Sequence, residues 1–85
     1  MRQRTKTQAV ARALIKSTGR GHIVFNDRLV DGTRSLKVWG WQVDDYRTAK
    51  NMLEVWGCTV DMVQAERYNT RGGRWQTVTR LHVQE

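Results

Sequence analysis

The chain has 85 residues, with 15 Lys and Arg against 8 Asp and Glu, a net charge of +7. That length suits one small domain, and 39% hydrophobic with 27% charged residues is the balance of a folded chain rather than a disordered one. No apolar run approaches the roughly 18 residues of a membrane span, and the single cysteine, Cys58, excludes an internal disulfide.

The excess charge is uneven. Arg2, Arg4, Lys6, Arg12, Lys16 and Arg20 fall in the first 20 residues with no acid among them, and Arg71, Arg74 and Arg80 raise the C-terminal end. A single-sign cluster attracts polyanions whatever the fold. Nucleic acid is the commonest such partner; an acidic protein or anionic lipid surface is the other kind. An Arg-rich, acid-free start also fits an organellar transit peptide, whereas a secretory signal lacks its apolar stretch here. The expected setting is intracellular, cytoplasmic or nucleoid-associated, with no membrane partner.

Residues 1–6 read as a flexible basic arm. From Thr7 to Thr18 the period is helical, with Val10, Ala11, Leu14 and Ile15 on one arc and Gln8, Arg12 and Lys16 on the opposite stripe. Thr7 is the expected N-cap and Gly19 the stop. His22–Phe25 reads as a strand, Asp31-Gly32 as a turn and Ser35–Trp41 as a second strand, together a hairpin. Asp44 or Asp45 is expected to cap a second helix reaching about Trp56, its apolar arc holding Tyr46, Ala49, Met52, Leu53 and Trp56. Strands over Cys58–Tyr68 and Trp75–Val83 close the chain around an Asn69–Arg74 turn. The order is αββαββ, and one α+β domain over 1–85, two helices on a four-stranded antiparallel or mixed sheet, is the expected fold.

Catalytic motifs are missing. His22 and His82 have no partner at fixed spacing, no metal-ligand pattern recurs, and neither a P-loop nor a nucleophile elbow is present. Asp61 and Glu66, five apart on one strand, point to opposite faces. The stretch Ala13-Leu14-Ile15-Lys16-Ser17-Thr18-Gly19 resembles the end of the helix motif of LAGLIDADG homing endonucleases through Leu14, Ile15 and Gly19, and the αββαββ order is similar to that family's. It is a topological analogy rather than a family signature. Lys16 and Thr18 replace both acidic positions, so the resemblance implies a binding protein without cleavage activity.

The basic constellation leads to the functional expectation. Arg12 and Lys16, one turn apart, are placed to face one phosphate strand. Arg2, Arg4 and Lys6 form an arm of the kind that enters a groove, with Arg20 at the end of the helix. Arg71 and Arg74 flank Gly72-Gly73 at a hairpin tip, beside Trp75, which is placed to stack on a base. Five phosphate contacts would give a log K against log salt slope of about −4 to −5. Trp39 and Trp41 share one face of the second strand while Leu36 and Val38 share the other. That two-faced strand calls for cover by helices, by a second subunit or by stacked bases.

The expectation is a small non-enzymatic nucleic-acid-binding protein, DNA ahead of RNA, without cofactor or metal, acting as an accessory or regulatory factor. The alternative is a protein-interaction module, such as a virus-encoded inhibitor or adaptor docking on an acidic host protein, or a homodimer joined through Trp39 and Trp41.

Overall fold

A computed structural model describes residues 5–28 and 33–85. The predicted arm residues Arg2 and Arg4 and the Asp31-Gly32 turn lie outside the described residues. The elements are α1 (Lys6–Thr18), β1 (His22–Arg28), β2 (Arg34–Trp39), α2 (Val43–Val55), β3 (Thr59–Asn69) and β4 (Arg74–Gln84). They realise the αββαββ order as two helices on a four-stranded antiparallel sheet with strand order β1-β2-β4-β3.

The cap of α1 falls on Thr5, two residues before the expected Thr7. The Thr5 hydroxyl accepts the Gln8 amide at 3.1 Å, satisfying one of the free N–H groups of the first turn. Thr7 is instead buried inside the helix and donates to Glu85 Oε2 at 2.9 Å. Gly19, at φ 70°, ends the helix and donates its N–H to the Ile15 carbonyl. In α2 the cap falls on Gln42 rather than on either aspartate. Asp45 sits three positions on and reaches back to accept the Gln42 amide at 2.9 Å, the second half of a capping box.

Register fixes the two faces of the sheet. Val60, Met62, Leu81, Val83, Leu36 and Val38 share one face, and both helices cover it. Val10 and Ala11 from α1, and Tyr46, Ala49 and Leu53 from α2, complete the core with Trp41 and Cys58. The opposite face carries no helix. β3 and β4 pair along their whole length, from Thr59↔Gln84 to Asn69↔Arg74, but β2 pairs with β4 only over Arg34↔Val83 to Leu36↔Leu81. The far half of the β3–β4 hairpin therefore projects past the helices. No helix among the described residues is long and apolar enough to cross a membrane.

Candidate nucleic-acid interface

The predicted cations do not gather on one surface. The N-terminus of α1 lies beside Glu85, at the end of the molecule opposite the hairpin tip that carries Arg71 and Arg74; the longest dimension is 42 Å. Lys6, expected in a flexible arm, is the first residue of α1. Its backbone N–H donates to Glu85 Oε1 at 2.9 Å, and its Nζ donates to the Trp56 carbonyl at 3.3 Å while lying 5.6 Å from the Trp56 ring centroid. Arg20 is also engaged. Its Nη2 meets Asp45 Oδ1 at 2.9 Å and Oδ2 at 3.2 Å, although its side chain stays 53% exposed.

Arg12 and Lys16 keep the predicted arrangement. Both are exposed, one turn apart, and they line a shallow groove between α1 and β1 with Ile15, Gly21, His22 and Ile23. Arg71 and Arg74 are exposed at the hairpin tip, where the Asn69 side chain accepts the Arg71 amide at 3.0 Å and the Asn69 carbonyl accepts the Gly73 amide at 2.8 Å. Trp75 is 67% exposed and meets Tyr68, its cross-strand partner, edge to face at 5.4 Å.

The two tryptophans of the second hairpin strand part company. β2 ends at Trp39, Gly40 turns the chain at φ 91°, and Trp41 swings into the core. There its indole N–H donates to the Arg20 carbonyl at 3.2 Å and its ring meets Tyr46 edge-on at 5.2 Å. Trp41 is thus packed in the core, while Trp39 is 71% exposed on the open face. Trp56, expected in the core, is 49% exposed because α2 turns its Tyr46–Ala49–Leu53 stripe to the sheet and leaves Met52 and Trp56 on the flank.

Tyr46 also explains why β2 and β4 separate. Its hydroxyl accepts the Val38 amide at 3.0 Å and donates to the Val38 carbonyl at 2.9 Å. Continuing the register would place Thr79 opposite Val38, so the phenol occupies the position of a strand partner. Beyond this wedge lies a cleft of about 400 Å³. Lys37, Trp39, Trp41 and Tyr46 line one side, and Arg67, Tyr68, Asn69, Gln76 and Val78 the other. Burial holds the Tyr46 phenol above its ordinary pKa of 10.0, outweighing the Val38 hydrogen bond and the charge of Arg80, which pull it down.

On the open face, alternation places Arg67 and Arg74 near the hairpin tip with Ala65 and Val78, and Lys37, Trp39, Val63 and Arg80 nearer the middle of the sheet. Asp61 is the next residue of β3 on that face beyond Val63, diagonal to Arg80. Glu66 projects from the other side of the hairpin, as its odd spacing from Asp61 requires. Lys37, Arg67 and Tyr68 are the residues sequence reading missed. Their signal was alternation on a strand extending past its cover, visible only once the length of the hairpin relative to the helices is known.

Register also sets Ser35, His82 and Asp61 side by side across β2, β4 and β3. Neither hydrogen bond of a serine–histidine–aspartate relay forms, and Ser35 is buried, its hydroxyl having no partner among the described residues. No cluster of metal-ligating side chains occurs among the described residues.

No family model, curated protein or solved structure matches this chain.

Proposed function

We propose that this chain is a small, non-enzymatic nucleic-acid-binding domain that grips the phosphate backbone with the open sheet face and the projecting hairpin. The observation that carries this reading is the placement of Lys37, Arg67 and Arg74 on the open face towards the hairpin tip, continued by Arg71. Like charges gathered on a surface create a field that draws in polyanions. Arg12 and Lys16 add a second, separate patch on α1. Backbone contacts of this kind position a duplex or a strand without reading its sequence.

Fluorescence anisotropy with labelled nucleic acid at several salt concentrations tests the reading. Binding should weaken with salt along a log–log slope of about −3 to −5, the value for four or five neutralised phosphates. The double reversal Arg67→Glu with Arg74→Glu should abolish most of the affinity, and Arg12→Glu with Lys16→Glu should weaken it less. A protein that binds neither DNA nor RNA at low salt would remove the proposal.

A second reading, a protein-docking module, is favoured by one specific feature. Ala9, Ala13, Met52, Val55 and Trp56 line an apolar groove between α1 and α2, and Val55 is 90% exposed. Light scattering on the purified protein tests its homodimer form, and a strict monomer over a wide concentration range counts against that form.

A further inference from the structure

The cleft behind the Tyr46 wedge has the makings of a binding site for unpaired nucleotides. Two strand edges face each other across it without being bonded, because β2 and β4 part company after Leu36↔Leu81. Aromatic surface stands at its mouth and wall. Trp39 exposes most of its indole, and Tyr68 lines the cleft while bracing Trp75. Between them Asn69, Thr70, Gln76 and Thr77 offer amide and hydroxyl groups able to donate and accept. Its two charged lining residues, Lys37 and Arg67, are both cations.

We infer that this cleft takes a single-stranded segment of nucleic acid, with a base stacked on Trp39 and the adjoining phosphates held by Lys37 and Arg67. The inference rests on the nucleic-acid reading above and narrows it to a substrate class. Stacking on an aromatic side chain needs a base whose face is free, which a duplex does not provide. The duplex has only its phosphates to offer to Arg71, Arg74, Arg12 and Lys16, so the aromatic surface of the cleft adds affinity for unpaired strands alone. An extended peptide is the other occupant that fits two open strand edges. The charges decide against it, since the cationic lining favours a chain that is anionic at every repeat.

The experiment compares an oligothymidylate of about 12 nucleotides, within the span of known single-strand sites, with a duplex of equal length. Both are titrated against the wild-type protein, Trp39→Ala and Trp39→Phe. The exposure of Trp39 makes both variants compatible with folding, and thermal melting verifies it. The single strand should bind more tightly than the duplex. Trp39→Ala should weaken single-strand binding by about fivefold or more while leaving duplex binding unchanged, and Trp39→Phe should restore most of the loss. Duplex binding equal to or better than single-strand binding, or a Trp39→Ala variant with unaltered single-strand affinity, overturns the cleft assignment and leaves the broader reading standing. Binding of neither nucleic acid at low salt overturns both. An oligoglutamate peptide that binds the wild type but not Trp39→Ala, when the oligothymidylate binds neither, would make it a peptide groove.

Discussion

The Tyr46 hydroxyl bonds both backbone groups of Val38, accepting its amide at 3.0 Å and donating to its carbonyl at 2.9 Å. One phenol thus serves as the strand partner that β2 loses when β4 diverges. Both groups of Val38 are buried, and unpaired buried backbone is costly. The same contact keeps β2 and β4 apart, so the core residue that stabilises the sheet also shapes the cleft.

Replacing this phenol by a ring of nearly the same shape isolates the hydroxyl. Tyr46→Phe keeps the packing against Trp41 but leaves the Val38 N–H and C=O without their partner. A loss of about 1–3 kcal/mol is expected, measured by urea denaturation with an unchanged m-value. A variant as stable as the wild type would show that β4 closes onto β2 in its place. Loss of single-strand binding in that variant would then follow from closure of the cleft.

Alkaline pH probes the same group from another side. Burial raises the Tyr46 pKa above 10.0 in the folded protein, so the unfolded chain gives up this proton first. The stabilisation is complete below pH 10 and is lost as the pH climbs from there through the folded value. Wild-type stability should therefore fall in that interval more steeply than that of Tyr46→Phe, which has no proton to lose. Parallel curves for the two proteins would contradict the assignment.

Gly21 is constrained by its backbone and by its neighbours together. It sits at φ 113°, and a Cβ placed there would come within 2.6 Å of Trp41 Nε1 and 2.8 Å of Val38 Cγ1. Neither neighbour can yield easily, since the indole is held by the Arg20 carbonyl and both are buried. Gly21→Ala is expected to cost about 2–4 kcal/mol, combining backbone strain with overpacking. Gly19→Ala, at a positive φ but with open space around it, should cost about 1–2 kcal/mol. Thermal melts of the two variants that coincide would show that the Trp41 contact adds nothing.

Much of the fold was legible because the strong local signals agreed with one another. The helical arc of α1, the alternation of Thr79, Leu81 and Val83 on β4 and the turn residues at Asn69–Arg74 each point to one element, and the structure contains all three. The caps were less readable. Thr5 and Thr7 are equally good capping residues, and the choice was made by Glu85, which draws Thr7 into the helix from across the sequence. Trp41 and Trp56 exchanged their expected roles for a related reason. Strand alternation ends at Gly40, and the stripe of α2 that faces the sheet is narrower than its apolar arc. The candidate site was half visible: Arg71, Arg74 and Trp75 stood out in the chain, whereas Lys37 and Arg67 join them only through the pairing of β2, β4 and β3.

Glu85 ties the two ends of the described chain together, and its removal should be felt in α1. Its carboxylate accepts the Lys6 amide at 2.9 Å and the Thr7 hydroxyl at 2.9 Å, and it meets Arg34 Nε at 3.1 Å. The first turn of α1 has no acid of its own. Glu85 therefore supplies from a distance the negative charge that a helix N-terminus favours, and it satisfies one of the free amides there. It also leaves Thr7 a partner at a site where the hydroxyl is buried. Glu85→Ala should cost about 1–2 kcal/mol, the range for losing a helix cap. Glu85→Gln should cost less, because the amide oxygen still accepts one of the donors while the pairing with Arg34 loses its charge. Amide exchange locates the effect: Lys6 and the residues of the first turn should exchange faster in Glu85→Ala, while the paired amides of β3 and β4 near the hairpin tip should keep their wild-type rates. Uniform acceleration throughout the chain would instead mean that Glu85 acts on global stability alone and that α1 does not fray separately from the sheet.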